Sequence, residues 1–464
     1  MKNKAFHTVL FLLFALLSCS APERGSPVPQ PDPDPTPEVP EPKLSDQQLM
    51  DQVQKDVIKY FWDYAEEQSG LARERYHIEN PGLDRSVISV GGSGFGFLNL
   101  LVGVERGFLN REEVVSRLEK QLDFLQSADR FHGAWPHWLN GSDGKVLPFS
   151  SLDDGGDLVE TAFLAQGLLC VREYFAHSLE QREKDLAKKA DQLWKGIEWN
   201  WYTQGQEVLY WHWSPNHSFS MNMKVQGFDE TLITYLLAAS SPTFPITKSV
   251  YTSGWARGGA IRSGASLYGV PLEVAHNGQR NSVGPLFWSH YSFLALDPRG
   301  LSDEFVNYGN AVMNHAKIMY QYALQNPKNF SGYGAKGWGL TASYSRATNG
   351  STTYSAHSLS NDTGVISPTA SLSSMPYLPQ ESLVMLRYLY EEEKEKLVGP
   401  MGPYDAYSLH YNWVTPRYLA IDQGTIAPMV ENHRTSFLWK LFMNAPEIKE
   451  GLKKLGFSSS QYGL

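Results

Sequence analysis

The sequence runs to 464 residues, with 49 acidic against 40 basic side chains, a net charge of -9 and 13% aromatic residues. That balance sets nucleic acid aside as a partner, because a nucleic-acid binder needs a basic face. Only Cys19 and Cys170 are present, so the fold is not a disulfide scaffold.

In chain order, Lys2 and Lys4 precede an apolar run from Val9 to Leu17 that is too short to span a bilayer. It leads into Leu16-Leu17-Ser18-Cys19, which resembles a bacterial lipobox. Residues 1–18 are therefore expected to be a signal peptide, with Cys19 the lipidated first residue of the mature protein. The stretch SPVPQPDPDPTPEVPEP (26–42) cannot bury apolar area, so 19–44 reads as an extended spacer. The expected location is the outer membrane, on its periplasmic or cell-surface face, with the lipid as the only membrane contact.

From residue 45 the pattern changes. Ser45 with Gln48 makes a capping box ahead of an amphipathic helix carrying Leu49, Val53, Val57, Tyr60 and Phe61. Asn110 with Glu113 caps a second, through Val114, Leu118, Leu122 and Leu125. Further helices are expected around 93–106, 157–177, 183–201, 229–239, 303–324, 380–396, 431–443 and 446–454. Cys170 falls in an apolar run and reads as a small core residue. Extended β-branched runs are few, and no second linker appears, so 45–464 is expected to be one all-α domain and a monomer. Long aromatic loops (HGAWPHWLNGSDG, LYWHWSPNHSF, SGYGAKGWGLTASYS) separate the helices. About a dozen helices with such loops predict an (α/α)6 toroid, its inner helices surrounding a cleft.

Cleaving a glycosidic bond takes a proton donor and a second carboxylate. The densest acidic group is Asp153, Asp154, Asp157 and Glu160 around Gly155-Gly156, at the start of an apolar helix. The helix dipole there favours ionised carboxylates, and helix capping is the alternative reading. Glu230, in QGFDET, either answers a helix dipole or, if it faces an aromatic cleft, has a raised pKa suited to a general acid. Asp422, in AIDQGTI, reads as a charge in a turn between apolar residues. Glu431 and Arg434, three apart, read as a structural ion pair or as substrate contacts. Trp135, Trp138, Trp211, Trp213 and Trp338 are candidate sugar platforms, with core packing the alternative for each. His132, His137, His212, His217, His290 and His410 lack zinc-site spacing and no HExxH occurs, so neither metal nor cofactor is expected. No GxSxG elbow is present.

Six segments, DGGDLVETAFLAQGLL (154–169), QGFDETLITYLLAASSPT (226–243), GPLFWSHYSF (284–293), WGLTAS (338–343), PYLPQESL (376–383) and IDQGTIAPMVENHRT (421–435), together resemble the bacterial glucoamylase-like family, and within it the endo-β-1,2-glucanases of glycoside hydrolase family 144. The resemblance implies an (α/α)6 fold, no metal, and inverting endo-cleavage of linear β-1,2-glucan to sophoro-oligosaccharides. It implies Glu230 as proton donor, Asp422 as base, and Asp153, Asp157 and Glu160 beside the scissile bond. His290, Tyr291 and Arg434 join the tryptophans as substrate-binding candidates. One departure is Tyr344 after WGLTAS, where related sequences often carry an acid. Other readings are a hydrolase of another β- or α-glucan, a glycan-binding lipoprotein that does not cut, and a polysaccharide lyase.

Overall fold

The computed structural model describes residues 43–464. Cys19, the signal segment and most of the Pro-rich stretch lie outside the described residues. Leu44–Leu464 forms one compact unit.

Two kinds of helix build it. The Val90–Glu105 helix is buried at every position from 90 to 103, and the Leu232–Ser240 helix throughout its length. The Leu158–Phe175 and Ala420–Thr435 helices are buried nearly as completely. A helix apolar all round has no solvent face, and these line the inside of the toroid. By contrast Gln181–Lys195 buries little beyond Leu186, Ala187, Ala190, Leu193 and Trp194, the three-to-four spacing of a one-sided outer helix. Asp46–Trp62, Arg111–Ser127, Tyr308–Gln325, Pro379–Arg387 and Pro446–Leu455 are likewise partly exposed.

The inner elements follow one another around a closed circuit. Ala420–Thr435 packs on Val90–Glu105, which packs on Leu158–Phe175, which packs on Leu232–Ser240. The short 3-10 turns Leu286–Ser289 and Tyr291–Phe293 come next, then Pro368–Ser373, which returns to Ala420–Thr435. This is the (α/α)6 toroid. Among the described residues, eight small sheets of two or three strands occupy the connections. Several lead straight into inner helices: Val87–Ser89 into Val90, Gly156–Asp157 into Leu158, and Arg417–Leu419 into Ala420.

Two features explain how inner helices pack so closely. A Cβ on Gly94 would lie 2.2 Å from the Phe163 carbonyl oxygen, and one on Gly167 would lie 2.4 Å from the Gly94 carbonyl oxygen. Here the two backbones touch, and only glycine fits. The Ala420–Thr435 helix contains Pro428, whose ring nitrogen cannot donate to the Gly424 carbonyl. The side-chain amide of Asn99, on the neighbouring inner helix, donates to that carbonyl instead at 2.9 Å. The interruption is satisfied from outside, so the helix continues.

The sequence reading placed Asp422 in a turn and began a helix at 431. In the structure Asp422 is in the first turn of Ala420–Thr435, and a separate helix, Phe437–Asn444, follows. Pro428 within the span disguised one continuous helix. The helix expected at 183–201 ends at Lys195, and the one at 380–396 ends at Arg387. Both capping predictions agree with the structure: Ser45 accepts from the Gln48 amide, and Asn110 from those of Glu112 and Glu113. Cys170 is fully buried and free, its thiol pKa pushed up by burial.

Candidate active site

The starts of the inner helices converge on a cavity of about 400 Å³. Glu160 and Glu230 open onto it, as do Glu74 and Arg75 of the strand beside Arg417–Leu419. Trp138, Phe149, Phe163, Trp211, Phe287 and Tyr291 supply aromatic walls. Tyr344 and Tyr354 enter from the hairpin formed by Ala342–Arg346 and Thr352–Ala356, where they are cross-strand partners.

The first wall is a charge-compensated cluster. Asp157 caps its helix, Oδ1 accepting from the Val159 and Glu160 amides at 3.0 and 2.9 Å. Its Oδ2 lies 2.9 Å from His137 Nδ1 and 3.4 Å from His212 Nε2. His212 Nε2 is also 3.1 Å from Asp153 Oδ2. Burial alone would raise the Asp157 pKa, but hydrogen bonds from the two imidazoles hold it well below the usual carboxylate range. In return, and against their own burial, His137 is pushed up to about 9 and His212 to about 10. Capping and charge pairing thus fall on different oxygens of one carboxylate.

His137, Asp153 and Asp157 offer ligand atoms within 4.8 Å of one another, the spacing of a cation site. A protonated imidazole has no lone pair to give a metal, so a cation there would have to displace the protons that His137 and His212 hold.

Glu160 sits one turn in from the cap. The Gly91 amide donates to its Oε2 at 2.8 Å, and a Cβ on Gly91 would stand 2.5 Å from that oxygen. Glycine is what lets the carboxyl reach the start of the neighbouring helix. Burial pushes Glu160 up to about 7.

Glu230 precedes the Leu232–Ser240 helix. Its neighbour Asp229 turns inward, accepting from the Thr231 amide at 2.9 Å, and is pushed up to about 7 by burial. Burial and the adjacent Asp229 carboxyl raise Glu230 well above its ordinary value. A carboxyl whose pKa is raised and which lines a cavity is equipped to donate a proton.

Asp422 is buried behind Tyr291, whose hydroxyl donates to Asp422 Oδ1 at 2.9 Å. Asp422 also interacts with the buried Asp405, whose Oδ2 accepts from the Tyr344 amide at 2.7 Å. Burial pushes Asp405 up to about 7, and burial with the Asp405 charge raises Asp422 further. Two carboxyls in contact, away from water, share a proton, because both cannot stay charged. Asp422 therefore reaches the cavity only through Tyr291.

The structure thus brings Glu160, Glu230, Trp138, Trp211 and Tyr291 to one cavity, with Asp153, Asp157 and Asp422 behind its walls. Six candidates lie elsewhere. Trp135 is a closed core residue donating to the Leu125 carbonyl at 3.1 Å. Trp338 is buried against Tyr320, so neither tryptophan is a platform. His290 is buried on Ser374 at 3.0 Å. Arg434 is paired with Asp51 at 2.6 Å, and Glu431 pairs with Arg106 rather than with Arg434. Trp213 is half-buried beside His132 and Trp201. Sequence reasoning missed Glu74, Arg75, Phe149, Tyr354 and Asp405. Glu74 precedes and Arg75 begins a three-residue strand too short for any periodic signal, whereas Tyr344 was visible as a departure from the WGLTAS pattern.

Residues 222–446 match the model of a family described as putative glucoamylase. A curated relative from Parabacteroides distasonis, named exo β-1,2-glucooligosaccharide sophorohydrolase (non-reducing end), is 40% identical over 432 residues, 89% of this chain and 58% of its own length. The chain therefore spans a little over half of that relative. The structure of an endo-β-1,2-glucanase from Chitinophaga pinensis, in complex with sophorotriose and glucose, superposes with a TM-score of 0.87 at 52% identity, covering 90% of this chain and all of that one. A putative glucoamylase from Bacteroides caccae gives 0.86 at 50% identity, covering 90% of this chain and all of that one. With half its residues shared along the whole of two such structures, the chain belongs to the glucoamylase-like family of (α/α)6 proteins that includes the Chitinophaga pinensis endo-β-1,2-glucanase.

Proposed function

We propose that this protein is a glycoside hydrolase that cleaves linear β-1,2-glucan internally, with inversion, releasing sophoro-oligosaccharides. The observation that carries the reading is Glu230, a carboxyl that lines the same cavity as Tyr291 and whose pKa burial raises well above its ordinary value. In this mechanism Glu230 gives its proton to the glycosidic oxygen as the bond to the anomeric carbon breaks. Water attacks that carbon from the opposite face. Its proton passes to the Tyr291 oxygen while the Tyr291 proton moves to Asp422, and the proton shared by the Asp405–Asp422 pair settles on Asp405. Glu74 and Arg75 with the aromatic walls hold the sugar rings. The names and 40–52% identities of the relatives support the β-1,2 linkage.

The test is incubation with a panel of linear glucans, following product size and anomeric configuration by NMR. A ladder of sophoro-oligosaccharides in the α configuration is expected from β-1,2-glucan. Sophorose alone points to exo action, and a β product overturns inversion. Glu230→Gln should lower kcat by about a thousandfold while glucan binding persists; unchanged turnover removes Glu230 from the mechanism.

The same proposal extends to location. Cys19 is lipidated and tethers a monomeric domain to the outer membrane through the Pro-rich spacer. No helix of the described residues is long and apolar enough to cross a membrane. Radiolabelled palmitate should enter the wild-type protein and not Cys19→Ala.

A further inference from the structure

A second hollow, of about 420 Å³, lies beside Trp201 and is lined also by Glu198, Asn200, Gln204, Phe219 and Phe244. Trp201 is one of the few large aromatic side chains left well exposed, at 41% of its area. Its ring is fixed from one side: His132 stacks on it at 3.6 Å between centroids and 13° between planes, and Glu198 anchors His132 at 3.1 Å. An exposed flat indole stacked on His132, with the exposed residues Asn200 and Gln204 lining the same hollow, matches a pyranose. Such a ring offers apolar C–H faces to stack and equatorial hydroxyls to bond amides. The hollow also joins the cleft wall. Trp201 is 6.2 Å from Trp213, and Trp213 shares its two-residue strand with His212, which pairs with Asp153 and Asp157.

We propose that the Trp201 hollow is a second carbohydrate site, which holds a distant part of the same glucan chain whose scissile bond lies in the cavity. This rests on the glucan-hydrolase reading for the identity of the ligand. An extended polymer bound at both places gains effective concentration from the tether, without new chemistry. The site therefore bears on long chains and not on oligosaccharides that fill the cavity alone.

Affinity electrophoresis of the full chain through gels containing β-1,2-glucan tests the binding, with Glu230→Gln as background so that the polymer survives. Trp201→Ala and, separately, Asn200→Ala in that background should each be retarded less than the Glu230→Gln parent, in which the cavity still binds glucan. The same Trp201→Ala change in active protein should raise KM for the polymer by about tenfold, with a far smaller change for a short sophoro-oligosaccharide. Circular dichroism checks that both variants fold. Retardation equal to that of the Glu230→Gln parent overturns the second site, as does no retardation of the parent, or KM values shifted equally for long and short substrates. A protein retarded through Trp201 that releases no sugar overturns the hydrolase reading and leaves the binding site standing.

Discussion

Raising the pH from 7.5 to 9.5 should cost the native fold about 1–2 kcal/mol, and Asp157→Asn should remove much of that loss. In the unfolded chain His137 titrates near 6.5. In the fold, against the burial that lowers it, the Glu160 charge and the hydrogen-bonded Asp157 push it up to about 9. A group whose folded pKa is raised stabilises the native state fully below its unfolded pKa, and that contribution disappears as pH climbs through the folded value. Between 7.5 and about 9 the remaining 1.5 units amount to ~2 kcal/mol at ~1.4 kcal/mol each. Solvent screening reduces this, since the His137 side chain is 23% exposed. His212, pushed up to about 10, changes stability in the same direction, but it shares Asp157 with His137, so the two effects do not add. Starting at pH 7.5 leaves behind most of the titration of Glu160 and Asp229, each raised to about 7. Asparagine at 157 still offers an oxygen to the helix amides, so the cap persists and only the charge is lost. Urea unfolding of both proteins at pH 7.5, 8.5 and 9.5 measures the difference. A wild type equally stable at all three, or a variant with the full wild-type slope, refutes the assignment of His137 and His212 as imidazolium partners of Asp157.

Four further outcomes follow from the geometry. Tyr291→Phe removes the hydroxyl linking the cavity to Asp422 and should lower kcat by about a hundredfold, with KM little changed; an unaltered kcat in steady-state assays excludes that route. Gly94→Ala drives a methyl group into the Phe163 carbonyl and should destabilise the fold by about 3 kcal/mol or more, read as a large drop in Tm. Trp135→Ala should cost about 3–5 kcal/mol in urea unfolding, because a buried indole and its hydrogen bond are lost. Trp211→Ala should instead leave stability nearly intact and raise KM; the reverse pattern means the two tryptophans have been placed wrongly.

The toroid was legible because about a dozen helical apolar patterns alternate with long aromatic loops, and because Ser45 and Asn110 announce helix starts through local hydrogen bonds. The limits of the Ala420–Thr435 helix were not, since Pro428 normally ends a helix and the amide that rescues it belongs to Asn99, over three hundred residues away. The same contrast runs through the site. Asp157 and Glu160 could be grouped because they are three apart on one helix. The partners that set their charge, His137, His212 and the Gly91 amide, arrive from separate connections with no shared spacing. Tryptophans in similar aromatic loops divided between cavity and core: Trp138 lines the cavity, while Trp135, three residues earlier, is sealed behind it. Only the third dimension distinguishes them.

The first described helix, Asp46–Trp62, packs against the Ala420–Thr435 helix, and Gln54 donates to a carbonyl 373 positions further along the chain. The Arg75–His77 strand likewise finds its partner only at Arg417–Leu419. During synthesis the early segments must therefore wait for nearly the whole polypeptide before these partners exist, and closing so long a loop is slow. A nascent chain stopped before residue 420 would leave an apolar seam uncovered. Newly made copies should thus depend on chaperones until the residues from 420 onwards emerge.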